Sequence, residues 1–452
     1  MEVSAQAAPL RTGQGRSVAA AAGSCLAPTS GVPSAYECAC TYMRTQSTKT
    51  ATAWHERTSR QMNGTGLPLD GVTVLDLGQV YGGPYCGLLL GHLGARVIKI
   101  ESPAGGEPLR GHAEVVVPGE PIGFQLLNGG KESVTLDLKS AEGRDAFLAL
   151  AGAADVIVEN FAPGTTTKLG IDYAAVSAVN PRIVYASLKA YSADSPNRDL
   201  RGMDLTVQAS SGVMSVNGFP DGPPIRCGPS LVDFLGGSHL ALGVVAALLE
   251  RETTGRGQEV DVSLQDAVIP TLSSNISGWI TDPTTALERT GNRHGGMRES
   301  PYNSYETADG WVAILTITEP QWRALAELIG REDLRDDPGL ATSAGRVARM
   351  YELDDAVGAW TIQRTCDEAT AELQDAGVPA SRLKNVAQVI ADELGRTEPM
   401  IQHTVEDGVA TYTLGSPVRL GDHPPQVAGP VPSLGEHTAE VLAAVTGRAD
   451  GG

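Results

Sequence analysis

The sequence predicts an α/β fold, a parallel sheet wrapped by helices on both faces with a smaller α+β domain beside it. Three observations carry this. Short apolar runs rich in Val, Ile and Leu recur through the first two thirds of the chain, as strands buried on both faces do. Helical stretches separate those runs, which is the alternation of a doubly wound sheet. After Ile280 the texture changes and a shorter mixture of strand and helix signals follows.

Taken in order, VTVLDLG from Val72, then GGPYCGLLLGHLG, then ARVIKIE read as a buried strand, a helix entered through glycine and a second buried strand, a βαβ unit. SVTLDL, a polar-entry helix over 140–152 and ADVIVENF make the next unit, and RIVYASL follows a short helix over 173–179. A helix beginning near Gly236 runs almost wholly apolar to its end, as a core helix does, and GRGQEVDVSL returns as a strand. Residues 291–304, GNRHGGMRESPYNS, form a polar, glycine-bearing loop too long for a simple connector. Beyond it come the strand ADGWVAILTI, helices over 319–329, 345–364 and 365–376, and the segment GVPASRLKNVAQVI. Residues 415–419 and the helix of LGEHTAEVLAAVTG resume the first domain's style. The expected division is a large domain over 66–280, a linker loop over 281–300, a small domain over 301–395 and a return to the large domain over 396–448.

At 452 residues and 41% hydrophobic, the chain can bury more than one core. Its net charge of −19 argues against nucleic acid and anionic membrane as main partners, so any phosphate must meet a local basic pocket. The six cysteines follow no repeating spacing and Cys38-x-Cys40 is too close for a zinc knuckle, which predicts a reduced, cytoplasmic protein without a metal site. No run of about 18 apolar residues predicts a membrane span. Residues 1–61 carry six Arg or Lys against three acids, leaving −22 for the rest, and their Ser/Thr/Ala-rich texture predicts disorder. That segment reads either as a transit peptide or as the product of an upstream start codon, with Met62 the true start.

Asp233 is the sharpest candidate for chemistry. An aspartate at a helix entrance ordinarily caps orphan backbone N–H groups. Its flanks Leu231, Val232 and Phe234 are apolar, however, Gly236-Gly237 leave backbone N–H groups uncovered, and no Lys or Arg falls in the ten residues that follow. A carboxylate so placed can act as a nucleophile on a carbonyl whose oxyanion those donors stabilise. Elsewhere the turn Gly78-Gln79-Val80-Tyr81-Gly82-Gly83-Pro84, with Glu101 ending the second strand, suggests a nicotinamide dinucleotide site, but the glycine spacing is wrong and Pro84 removes an N–H the pyrophosphate needs. Asn128-Gly-Gly-Lys131, with Lys139, Asn160 and Lys168, gathers basic and amide groups at strand ends, where open α/β sheets bind ligands. His294 and His437 fit no metal-ligand spacing.

The chain resembles the class III CoA-transferases, a superfamily holding formyl-CoA transferases, carnitine CoA-transferases and α-methylacyl-CoA racemases. The resemblance runs from about Leu67 to Gly447 through eight ordered motifs: PLDGVTVLDLGQVYGGP, LGARVIKIE, NGGKESVTLDLKSAEGR, ADVIVENFAPGTTTKLG, NPRIVYASLKAY, TTGRGQEVDVSLQDAV, ADGWVAI and PSLGEHTAEVL. It implies a Rossmann-like large domain, a smaller domain, and a homodimer of two chains interlocked like links. It matches Asp233 to the family's catalytic aspartate, which forms aspartyl anhydride and aspartyl-CoA thioester intermediates while CoA passes from a donor such as succinyl-CoA to a small carboxylic acid. CoA thioesters are then substrates, with no permanently bound cofactor. Position by position, Asn160 and Lys168 correspond to adenine-side contacts of CoA, Lys139 and Arg201 to contacts of its nucleotide portion, and Gly236 and Gly237 to close-approach residues. Tyr81 stands where formyl-CoA transferases carry a glutamine, and their tetraglycine loop has no counterpart here. Met203, before Asp204, replaces the histidine of the racemases and cannot exchange a proton. Ser102 replaces a basic CoA contact. These departures disfavour racemase and formyl transfer, and leave a non-catalytic CoA-binding protein as a further alternative.

Overall fold

The computed structural model describes residues 66–111, 120–284, 286–406, 409–421, 423 and 429–446. The expectations for residues 1–61 lie outside them. Strands β1 (Thr73–Asp76), β2 (Arg96–Glu101), β3 (Glu132–Thr135), β4 (Val156–Glu159), β5 (Val184–Lys189) and β6 (Glu259–Ser263) form one all-parallel sheet in the order 3-2-1-4-5-6. Between them run α1 (Gly82–His92), α2 (Ile122–Asn128), α3 (Ala141–Ala153), α4 (Asp204–Ser210) and α5 (Leu231–Thr254). Ser140 caps α3 by accepting the Gly143 N–H at 2.9 Å, and left-handed Gly255 (φ 69°) ends α5.

Register distributes the apolar residues. Val74 lies level with Val97 and Val156, and Leu75 with Ile98 and Ile157. Because side chains alternate along a strand, the first set faces Cys86 and Leu90 of α1 and Leu240, Val244 and Leu248 of α5, while the second faces Phe147 and Leu150 of α3. α5 is long and apolar enough to cross a membrane by length and composition alone, yet Val232, Leu240 and Val244 are buried against the sheet. It is the core helix of one face.

Beyond the sheet lie α6 (Ser273–Thr281), an antiparallel sheet of β7 (Tyr302–Glu306), β8 (Trp311–Leu315) and β9 (Ala380–Arg382), and helices α7 (Glu319–Leu328), α8 (Met350–Thr361), α9 (Cys366–Asp375) and α10 (Val386–Leu394). Tyr305, Val312 and Ile314 bury themselves against Leu325, Val357 and Leu373, a core with no residue from the parallel sheet. The helix expected over 345–364 is interrupted at Arg349 (φ −116°), which separates Ser343–Ala348 from α8. The polar loop also ends earlier than expected, since β7 begins at Tyr302. A hairpin of β10 (Ile401–Glu406) and β11 (Val409–Leu414) was not foreseen; it packs on α2, with the Tyr412 N–H donating to Gln125 Oε1 at 2.8 Å. Last, α11 (Thr438–Thr446) lays Val441 into the core that α3 covers.

Candidate active site

Strand order reverses between β1 and β4, so chain leaves their carboxyl ends in opposite directions and opens a crevice there, the usual ligand position in such sheets. Asn160, just past β4, spans it. Its Oδ1 accepts the Gln79 N–H at 2.8 Å and its Nδ2 donates to the Gln79 carbonyl at 2.9 Å. The next residue, Val80, has φ 62°, a left-handed conformation that a β-branched side chain rarely adopts. Its N–H donates to Glu107 Oε2 at 3.0 Å, and Glu107 is buried. Tyr81 follows, stacked on Phe234 with centroids 5.9 Å apart, and Tyr85 meets the same ring edge-on at 4.8 Å.

Phe234 belongs to the first turn of α5, which starts at Leu231, five residues ahead of the expected start. Two glycines let α1 and α5 touch backbone to backbone. A Cβ on Gly237 would lie 2.5 Å from the Gly82 carbonyl oxygen, and one on Gly82 would lie 3.1 Å from that of Asp233. Gly236 likewise makes room for Leu264 and Leu188. Gly236 and Gly237 are buried inside a formed helix, whose interior N–H groups bond the carbonyls four residues back. The structure thus corrects their expected role: their missing side chains admit protein neighbours, and their N–H groups are not uncovered.

Asp233 does not cap α5. Its carboxylate makes no hydrogen bond among the described residues, and the helix has no capping side chain of its own. The cap comes from α4 instead, where the buried Asp204 accepts the Val232 N–H through Oδ2 at 3.0 Å and Gln208 Nε2 through Oδ1 at 2.7 Å. Burial, and then the like charge of Asp204, push the Asp233 carboxyl up to about 7. Met203, next to Asp204, is 64% exposed.

Charges buried beneath the crevice are already paired. Lys131 Nζ donates to Asp76 Oδ2 at 2.7 Å, the Pro84 carbonyl at 2.9 Å and Asn128 Oδ1 at 3.0 Å, which uses all its protons. Lys131 is therefore no phosphate ligand, contrary to its reading as part of a basic pocket. Burial, against the pull of Asp76, brings its pKa down to about 8. Asp76 is opposed by burial too, but Lys131 and Lys99 hold it below the ordinary carboxylate value. Glu101, 3% exposed, accepts both Arg110 Nε (2.7 Å) and Nη2 (2.8 Å), leaving no free acid for a ribose. That ends the dinucleotide reading.

The remaining cations differ. Lys139, Lys168 and Arg201 are exposed, on segments leaving the carboxyl ends of β3, β4 and β5, and none is ion-paired among the described residues. His437 Nδ1 accepts the Ser133 N–H at 3.2 Å, a tie between β3 and the chain before α11. His294 meets Tyr302 edge-on at 5.5 Å, in a loop whose Arg293 pairs with Asp354 of α8. Among the described residues no group of three His, Cys, Asp or Glu is placed to hold a metal ion. Sequence reasoning missed Glu107, whose only signal was an acid in a glycine-rich loop, and the aromatic pairing of Phe234, which the sequence showed only as an apolar flank.

Residues 69–438 match the model of CoA-transferase family III. A succinyl-CoA–D-citramalate CoA-transferase of Chloroflexus aurantiacus is 33% identical over 84% of this chain and 94% of its own length. A formyl-CoA:oxalate CoA-transferase of Streptomyces avermitilis is 33% identical over 84% and 96%. Among solved structures, a CAIB/BAIF family protein from Brucella suis superposes with a TM-score of 0.73 at 32% identity, covering 84% of this chain and 99% of that one.

Proposed function

Because the chain belongs to CoA-transferase family III, we propose that it is an enzyme moving CoA from an acyl-CoA thioester to a carboxylic acid, with Asp233 as the nucleophile. The observation that carries this reading is the state of that carboxylate: without a hydrogen bond among the described residues, in the first turn of α5, and raised to about 7. A carboxylate stripped of hydrogen bonds and partly desolvated is a stronger nucleophile than one saturated by donors.

In the proposed cycle an Asp233 oxygen attacks the thioester carbonyl, the C–S bond breaks and CoA leaves as thiolate. The resulting mixed anhydride is attacked by that thiolate at the aspartyl carbonyl, which releases the donor acid and leaves an aspartyl-CoA thioester. An acceptor carboxylate displaces the thiolate to give a second anhydride. Attack of the thiolate on the acceptor's carbonyl then yields the new acyl-CoA and restores Asp233. One thioester replaces another, so no outside energy source is needed. The N–H groups of Leu231 and Asp233, which have no partner among the described residues, sit at the positive end of the α5 dipole, where an oxyanion is stabilised.

Lys139 and Arg201 are proposed to meet the nucleotide portion of CoA, Lys168 and Asn160 to lie on its adenine side, Tyr81 to border the ligand crevice, and Met203 and Asp204 to lie at its acyl end. The donor is proposed to be a dicarboxylic acyl-CoA such as succinyl-CoA, as the name of the Chloroflexus relative suggests; the Tyr81–Phe234 stack fills the place where the family's formyl-CoA transferases carry an amide. Exposed Leu242 and Leu249 on α5 and Trp279 and Ile280 on α6 support a homodimer. The proposal includes a Rossmann-like large domain divided from a small domain at 281–300, and a cytoplasmic location.

Intact mass after exposure to succinyl-CoA, with and without carboxylic acids, tests the reading. A CoA adduct that requires Asp233, with a new acyl-CoA in solution, is expected. No adduct with any donor, but solvent deuterium at the α-carbon of a 2-methylacyl-CoA, would make the protein a racemase instead.

A further inference from the structure

We propose that Glu107 is a positioning residue, whose buried carboxylate holds Val80 in its left-handed conformation and thereby keeps Tyr81 stacked beside Asp233. The inference rests on the reading of Asp233 as the reacting group.

The crevice turn is pinned at two consecutive residues from two sides. Asn160 takes both backbone groups of Gln79, which fixes the turn to β4. Glu107 takes the N–H of Val80 through Oε2, which fixes it to the loop after β2. Only the second hold acts on the strained residue. Valine at φ 62° sets its Cβ against its own carbonyl, and such a conformation persists only where surrounding contacts over-determine it. The residue delivered by that conformation is Tyr81, whose ring stacks on Phe234, the neighbour of Asp233 in the first turn of α5.

Glu107 is itself rigidly mounted. Its Oε1 accepts the Leu109 N–H at 3.2 Å, and its own N–H donates to Glu101 Oε2, also at 3.2 Å. Glu101 is in turn clamped by Arg110 and by Ser133 Oγ at 2.7 Å. A carboxylate kept inside the protein at the cost of its hydration, with a glutamate and an aspartate nearby and Lys99 as counter-charge, is more than core filling requires. An apolar side chain would fill the space but could not hold the turn.

The test uses the full chain and two independent readouts. Glu107→Gln keeps one acceptor oxygen for two N–H donors, Glu107→Ala keeps none, and Val80→Gly combined with either removes the conformational penalty that the carboxylate opposes. Amide exchange followed by mass spectrometry reports whether the peptide over 79–81 is still held. Steady-state CoA exchange reports the chemistry. The expected result is amide exchange at least about ten-fold faster in both single variants. It is accompanied by a kcat about 10- to 100-fold lower at a KM for the acyl-CoA within about two-fold, since the exposed cations lie elsewhere. Adding Val80→Gly is expected to restore kcat to within about three-fold, which a merely structural role for Glu107 would not allow. Unchanged amide exchange in Glu107→Gln, or a loss of kcat that Val80→Gly does not repair, overturns the proposal. Should the wild-type protein show no CoA exchange at all, the transferase reading fails, and amide exchange alone still decides whether Glu107 holds the turn.

Discussion

Asp204 caps the helix that carries Asp233: its Oδ2 accepts the Val232 N–H at 3.0 Å across 28 residues of sequence. The same carboxylate contributes to the raised pKa of Asp233. Two acids thus divide the work at the start of α5, one satisfying the backbone and the other without a hydrogen bond among the described residues. Replacing Asp204 by alanine should cost about 1–2 kcal/mol through the orphaned N–H and should lower the pKa of Asp233. The expected outcome is a lower melting temperature, together with a shift of the pH–rate midpoint for adduct formation toward acid. A midpoint that stays in place would show that the two carboxylates are not coupled.

Asp233 itself should bind a proton more tightly in the folded than in the unfolded chain, where its pKa is the ordinary aspartate value near 3.9. Its stabilising contribution is therefore complete below about pH 4 and is lost as pH rises through about 7. Asp233→Asn removes the titration. At pH 8 the variant should be more stable than the wild type by up to about 4 kcal/mol, and at pH 4 the two should melt alike, while adduct formation is abolished at every pH. In the wild type, adduct formation should rise between pH 6 and 8 as the carboxylate ionises. Melting curves at the two pH values decide the first claim, and equal differences at both would refute it.

The α1–α5 crossing gives a sharper steric prediction. At Gly237 a methyl group meets the Gly82 carbonyl oxygen at 2.5 Å, a backbone atom that cannot swing aside, and the Tyr85 ring at 3.3 Å. Gly237→Ala should destabilise by about 2–3 kcal/mol and displace Asp233 relative to Tyr81, so the surviving folded protein should exchange CoA slowly. Gly152 in α3 meets nothing within 4 Å, and Gly152→Ala should stabilise by roughly 0.5–1 kcal/mol through reduced chain entropy. Opposite signs in denaturant titrations are the expected pattern.

Much of the large sheet was legible because parallel strands are buried on both faces and announce themselves as runs such as VTVLD and RVIKIE. The hairpin of β10 and β11 was not, because its strands mix His, Thr and Tyr with apolar residues, and the helix and sheet periods compete over six residues. Asp233 was legible as special, yet its role as a cap was also the better local reading. What decides the matter is Asp204, brought in by tertiary structure, and sequence spacing holds no sign of it. Lys131 and Lys139 looked alike for the same reason: burial and pairing belong to the folded chain.

That last contrast yields a prediction of its own. Lys131 is buried on Asp76 and donates to three acceptors, whereas Lys139 is exposed and unpaired among the described residues. Lys131→Met leaves the Asp76 carboxylate with Lys99, 3.8 Å away, as its one counter-charge among the described residues; breaking a buried pair in this way should cost about 3–5 kcal/mol. Lys139→Ala should leave the melting temperature unchanged and raise the KM for acyl-CoA a few-fold, and adding Lys168→Ala should raise it further. Because exposed cations act on phosphate through screened fields, the KM of the wild type should climb with salt, and that of the double variant should climb less steeply. Calorimetry and KM at two ionic strengths separate the two lysines, and a double variant with the wild-type salt dependence would remove Lys139 and Lys168 from the CoA site.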